Sequence, residues 1–165
     1  QGGKSYDPGR ILGVPRSCPW GFPQVVLCRP LSSKGPFPTT FWMTCPHLSR
    51  LCGRAEADGG VRALEARIAR DPERMRRHHL EHARLRGTLL SPEQDRFLRL
   101  HRPAWWRSLR SRGLGGIAFL EGESGGKCLH LHVASWLGWG HHPYASWLAA
   151  AFPVTHCDSP RCGRQ

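Results

Sequence analysis

The sequence predicts an α+β fold, mostly helical, with a small N-terminal β-hairpin packed on a helical bundle. Three observations carry this. First, β-branched and aromatic residues gather in two short runs, Gln24-Val25-Val26-Leu27-Cys28 and Thr39-Thr40-Phe41-Trp42-Met43-Thr44. Second, helix-period apolar positions and capping residues fill most of the chain from Leu48 to Leu109. Third, Gly125-Gly126-Lys127-Cys128-Leu129-His130-Leu131-His132 leads into the apolar run Val133-Ala134-Ser135-Trp136-Leu137, which reads as a buried helix near the centre.

At 165 residues the chain is long enough for one domain, which at that size removes roughly 70% of its unfolded surface from water. Seven tryptophans argue for a packed core rather than disorder. No apolar run reaches the roughly 18 residues of a membrane span, so a membrane partner is not expected. The net charge is +12, and only Lys4, Lys34 and Lys127 among the 24 basic residues are lysine. Such a balance points to a polyanion partner, nucleic acid above all. The plainer reading is arginine coating solvated helix faces, since the basic residues are interspersed with Asp and Glu. Seven cysteines in a chain without a visible secretory signal read as reduced thiols, and the expected location is cytoplasmic.

In chain order, residues 1–17 are rich in Gly, Pro and charge and are expected to form a flexible arm. Residues 18–152 form the single globular domain, and 153–165 an irregular, Cys-containing tail. Cys18-Pro19-Trp20-Gly21-Phe22-Pro23 is a turn segment. The two β-rich runs after it pair as an antiparallel hairpin with a long loop. A helix over Leu48 to Ala57 ends at Gly59-Gly60, and Val61, Leu64 and Ile68 mark the next. Asp71-Pro72-Glu73 supplies an N-cap, a proline at the first helical position and an acid in the first turn. The helix it opens places Met75, His79, His82, Arg86 and Leu89 on one face. Ser91 and Gln94 stand in capping-box register. Trp105, Trp106 and Leu109 mark another amphipathic helix. Ile117 to Leu120 reads as a third strand, the central helix is expected from Lys127 to about Gly138, and a last one covers Tyr144 to Phe152.

The candidate metal ligands are Cys18, Cys45 and Cys128, with His130 or His132. Thiolates and imidazoles together favour zinc, or an iron–sulfur cluster where thiolates dominate. Cys18 and Cys45 both precede proline, where a side chain can be presented outside a helix. On a helix Cys128 and His132 share a face and His130 lies opposite. The tail adds Cys157 and Cys162, spaced C-x4-C, but no tight C-x2-C knuckle occurs. Against this stands the commonest state of a small buried cysteine, a hydrophobe. His79, His82 and Arg86 are expected to line the same pocket as Cys128, with Lys127 adding charge. The plainer alternative is a solvent-edge helix, and the pairs His78/His82 and His141-His142 read either as metal pairs or, more commonly, as surface residues. Gly125-Gly126-Lys127-Cys128 fails as a nucleoside-triphosphate loop: Glu121 stands at the first glycine position and Cys128 replaces the Ser or Thr. Two further readings are a basic RNA- or DNA-binding module with structural cysteines, and an enzyme using Cys128 as a nucleophile beside Lys127 and histidine.

Cys18-Pro-Trp-Gly-Phe-Pro-Gln-Val-Val, Pro36-Phe-Pro-Thr-Thr-Phe-Trp-Met-Thr-Cys-Pro-His-Leu48, Gly115-Gly116-Ile117 and Lys127-Cys-Leu-His-Leu-His-Val-Ala134 together resemble a bacterial family catalogued as domain of unknown function 501. His79 and Arg86 fit a family helix with a His and an Arg seven apart. The resemblance runs from about Ile11 to Trp147. It implies no activity, but its motif residues include Cys18, Cys45, Cys128 and His130, with His132 at a less strict position. The chain departs from the family pattern in two places: Pro15-Arg16 runs almost directly into Cys18, and His142-Pro143 stands where Asn-Pro is usual.

Overall fold

The computed structural model describes residues 8–32, 35–123, 125–160 and 162. Strands β1 (Ile11–Ser17) and β2 (Pro23–Cys28) are followed by the two-residue pair β3 (Leu31–Ser32) and β4 (Gly35–Pro36), then β5 (Phe41–Met43). The main sheet is antiparallel in the order β1-β2-β5, with Val25 opposite Met43 and Leu27 opposite Phe41. The expected hairpin between the two β-rich runs is therefore present.

Ile11–Ser17 is a correction, because it belongs to the sheet and not to a flexible arm. Residues 1–7 of that arm lie outside the described residues. β1 is an irregular edge strand whose pairing slips between Ile11 and Gly13, between Gly13 and Arg16, and between Arg16 and Ser17. An edge tolerates Pro15, and most of the strand's side chains are exposed, so it carries no buried alternation to read. The β1–β2 turn closes when Gly21 N–H donates to the Cys18 carbonyl at 2.9 Å. Pro19 and Gly21 occupy the second and fourth turn positions, which those residues favour, and Gly21 has φ +81°.

Seven helices follow among the described residues: α1 (Pro46–Ala57), α2 (Gly60–Arg70), α3 (Pro72–Thr88), α4 (Pro92–His101), α5 (Pro103–Ser111), α6 (Leu129–Trp139) and α7 (Ala145–Ala151). Four begin with proline, whose missing N–H would be unpaired there in any case. Asp71 caps α3 through Arg74 N–H, and the Ser91/Gln94 capping box forms on α4. The expected strand over Ile117 to Leu120 does not form: Ile117 and Ala118 link two 3-10 turns, Leu114–Gly116 and Phe119–Glu121. Ile117, Ala118 and Phe119 are all buried in succession, so their apolarity reflects insertion into the core and not a pleat. The central helix starts at Leu129, two residues after the expected position. Lys127 at φ +20° and Cys128 at φ −159° are not helical.

α6 packs against α1, β2 and β5. It buries Leu129, Val133 and Ala134 among apolar neighbours, and His132 and Ser135 with them. Gly138 lets it approach the sheet, since a Cβ there would lie 2.6 Å from Phe41. Beside this apolar layer α3 turns a polar face inward. Arg86 is fully buried: its Nε donates to the Leu109 carbonyl at 3.1 Å, and its Nη1 to those of Gly113 at 2.9 Å and Pro38 at 3.0 Å. Replacing Arg86 with Ala leaves three carbonyls short of a donor, at roughly 1–3 kcal/mol for each that water cannot reach. Urea unfolding of Arg86→Ala is expected to show a loss of about 3 kcal/mol or more.

Candidate metal centres and the histidine core

The expected ligands fall into three separate places. Cys18 at the β1–β2 turn and Cys45 at the N-cap of α1 line one small cavity together with Cys157 and Cys162 of the C-terminal tail. The tail is held there by two side chains of the sheet region. Trp20 Nε1 donates to the Cys157 carbonyl at 2.9 Å, and buried Gln24 donates through Nε2 to the Thr155 carbonyl. Cys45 makes no side-chain capping bond, so its sulfur is not committed to α1. The cavity has a volume of about 10 Å³, the space of one water-sized sphere. Partial desolvation and then the neighbouring Cys45, Cys157 and Cys18 thiols push the Cys162 thiol above its ordinary pKa.

Cys128 stands elsewhere. Its neighbours Glu56 and Cys52 lie toward the far end of α1 from Cys45. Cys45 and Glu56 are separated by about 16 Å of helix at 1.5 Å per residue. The sulfur groups with His130 and Glu56, not with His132 on a shared helix face. His130 Nδ1 lies 2.9 Å from Glu56 Oε1, and Nε2 lies 3.1 Å from the Ser49 carbonyl. The carboxylate and the carbonyl accept from an imidazolium, while the Ser49 hydroxyl, 3.3 Å from Nε2, can donate or accept. Cys128 beside it, and then Glu56, hold its pKa up at about 9. Glu56 also takes the Leu129 N–H at 2.7 Å and the His130 N–H at 3.4 Å, so the carboxylate caps α6 in place of the thiol. A nucleophile reading for Cys128 therefore lacks the free helix N-terminus it relied on, and an ion would have to displace the partners of His130. Lys127 is exposed beside this group.

His132 is fully buried and belongs to a histidine core. Its Nε2–H donates to the Gly125 carbonyl at 2.7 Å, which leaves Nδ1 bare to accept from His142 Nε2–H at 3.0 Å. His142 Nδ1 in turn accepts from Tyr144 N–H at 3.1 Å. This directional chain makes both rings neutral. His82 and His78 share the Ser135 hydroxyl, with Nε2–Oγ distances of 2.8 and 3.1 Å. His79 Nδ1 accepts from Leu114 N–H at 3.2 Å, and its ring stacks on Phe119. His79 also borders a cavity of about 250 Å³ between α2 and α3, but Cys128, His82 and Arg86 do not. Burial pushes His78 down to about 3, and His79 and His132 to about 4; His82 and His142 are lowered by burial as well.

Sequence reasoning paired Cys18 with Cys45 but not with the tail cysteines, and it assigned His142 to the surface although it is buried. The C-x4-C spacing was the available signal for the tail. Nothing comparable marked Glu56, Ser135 or Glu81. Cys28 and Cys52 are core thiols that burial pushes up to about 11 and 12. Arginines stand on β1 and on every helix from α1 to α5. Those at 67, 74, 102 and 110 lie over aromatic rings, a distribution suited to solvated helix faces.

The family described as protein of unknown function (DUF501) matches residues 14–150. The chain belongs to this family. The match takes in Cys18, Cys45, Cys128 and the whole histidine core, while Cys157 and Cys162 lie beyond it. No curated protein and no solved structure matches the chain. No helix among the described residues is long and apolar enough to cross a membrane.

The two kinds of histidine set opposite pH limits. The five depressed groups favour the native state above the unfolded pKa of about 6.5. Their contribution is lost as pH falls from there toward about 4, by roughly 1.4 kcal/mol per pH unit for each group that the unfolded chain protonates. His130 acts in the other direction: its contribution is complete below about pH 6.5 and lost as pH rises to about 9. Urea unfolding measured across pH is expected to give a bell-shaped profile, and His130→Gln to flatten only the alkaline limb.

Proposed function

We propose that the protein binds one zinc ion through Cys18, Cys45, Cys157 and Cys162, and that the ion fastens the C-terminal tail to the sheet and to α1. The observation that carries this reading is convergence: four thiols from three distant segments of the chain line one ion-sized cavity. Thiolate is the ligand type that selects zinc at tetrahedral sites, with bonds of about 2.3 Å. A cavity of about 10 Å³ has the space of a single ion. The four sulfurs do not form a group with donor atoms within 4.8 Å of one another. Side-chain rotation and a small approach of the tail complete the coordination.

Of the ligands expected from sequence, Cys18 and Cys45 stay in this reading, while Cys128, His130 and His132 leave it. The role is structural, because four thiolates leave zinc no open position. Binding replaces four thiol protons with one ion, so affinity falls as pH is lowered. A tetrathiolate zinc centre carries two negative charges, and a chain of net charge +12 receives it in a favourable field.

Elemental analysis of untagged protein purified without added metal is expected to give about one zinc per chain. Cys45→Ser and Cys157→Ser lose it, whereas Cys128→Ser keeps it. Chelation is expected to make the segment after Phe152 the first site of limited proteolysis. A folded, metal-free wild type, or full zinc content in both ligand variants, would overturn the reading. Iron in place of zinc, again lost in the two variants, would keep the ligand set and change the ion.

A further inference from the structure

The histidine core reaches the surface at one point, and the chemistry there differs from that of the cysteine cavity. His78 has a side chain only 1% exposed, yet its Nδ1 has no hydrogen-bond partner. That atom faces the Glu81 carboxylate, one turn along α3, at 3.6 Å from Oε2. His141, in the turn after α6, brings its Nε2 to 3.3 Å from the same oxygen. The three donor atoms all lie within 4.8 Å of one another. Metal–nitrogen and metal–oxygen bonds of about 2.0–2.2 Å set the edge of a coordination tetrahedron at roughly 3.4 Å. Two edges of this triangle already have that length.

We infer that His78, Glu81 and His141 form a second metal site, which takes a divalent transition ion of the zinc and cobalt class. Two imidazoles and one carboxylate suit such ions better than magnesium or calcium, which prefer all-oxygen shells. The three ligands leave one position for water, and Glu81 and His141 are about half exposed, so the ion enters from solvent. Behind the site, an ion on His78 Nδ1 places the ring proton on Nε2, which donates to Ser135 Oγ. The Ser135 hydroxyl then donates to His82 Nε2. An outer hydrogen bond of this kind fixes the tautomer and orientation of a metal-bound histidine. The Trp139 ring, 4.5 Å from that of His141, supports the exposed ligand.

The test is cobalt(II) titration of the protein as purified, followed by equilibrium dialysis and visible absorption. One additional equivalent is expected at micromolar cobalt, with ligand-field bands but no thiolate charge-transfer band. Glu81→Gln and His141→Ala, both at exposed positions, each weaken it about tenfold or more. His101→Ala, at an exposed histidine on α4, leaves it unchanged. Cys45→Ser also leaves it unchanged, so this site and the cysteine site fail or succeed separately. No additional equivalent at a hundredfold higher cobalt, or unchanged affinity in both ligand variants, would overturn the assignment. A charge-transfer band on the additional ion would overturn it as well, by placing that ion on sulfur.

Discussion

A buried guanidinium holds this fold together. Arg86 collects carbonyls from the loop before β5, from the last turns of α5 and from the glycine that follows α5. All three segments would otherwise bring backbone acceptors into the interior with too few donors. The arginine carries its charge inward at a desolvation cost that lowers its pKa to about 10, and fixes three segments relative to α3. Once α3 is placed, its other inward residues are placed too. His78, His79 and His82 fall opposite α6 and the Leu114 turn, where Ser135 and a backbone N–H await them. The polar interior is therefore a consequence of one helix face and not a scatter of tolerated defects.

That face was legible in the sequence, because steps of three and four place Met75, His79, His82 and Arg86 together on any helix. The helix boundaries were legible as well, since proline at the first position and Asp71, Ser91 and Gln94 act through local chemistry. β2 and β5 could be read from β-branched and aromatic content. β1 could not, because its mostly exposed side chains leave no alternation. Ile117 to Phe119 misled in the opposite direction, being apolar through burial in a turn. The site was half legible. Proline after Cys18 and Cys45 did mark presented side chains, but spacing holds no information on which distant segment meets which. Cys128 was drawn into their group by chemistry alone, and the length of α1 keeps it apart. The place of His142 depended on a ring-to-ring bond with His132 that no local pattern encodes.

The three clusters divide the ionisable groups by environment. Thiols gather in one small cavity where an irregular tail meets the β1–β2 turn and the start of α1. An imidazolium bridges a carboxylate and a carbonyl where α1 meets α6, and serves there as a cationic tie between helices. Neutral imidazoles line α3 and α6, each ring held through at least one nitrogen by Ser135, a backbone group or another histidine. Residues of the same type thus take different protonation states within one small domain, set by whether the neighbour accepts, donates or only excludes water.

The hydrogen bond from Gln24 to the Thr155 carbonyl joins groups 131 residues apart in sequence. Among the described residues, the tail meets the turn at Trp20, strand β2 at Gln24 and the start of α1 at Cys45. Helices and the short hairpin assemble from nearby contacts, which form quickly, while contacts between chain-distant segments slow folding. Fastening the tail therefore closes a loop that takes in most of the chain. The tail is a latch across the fold, tying a late segment of the chain to the turn and strand formed by an early one.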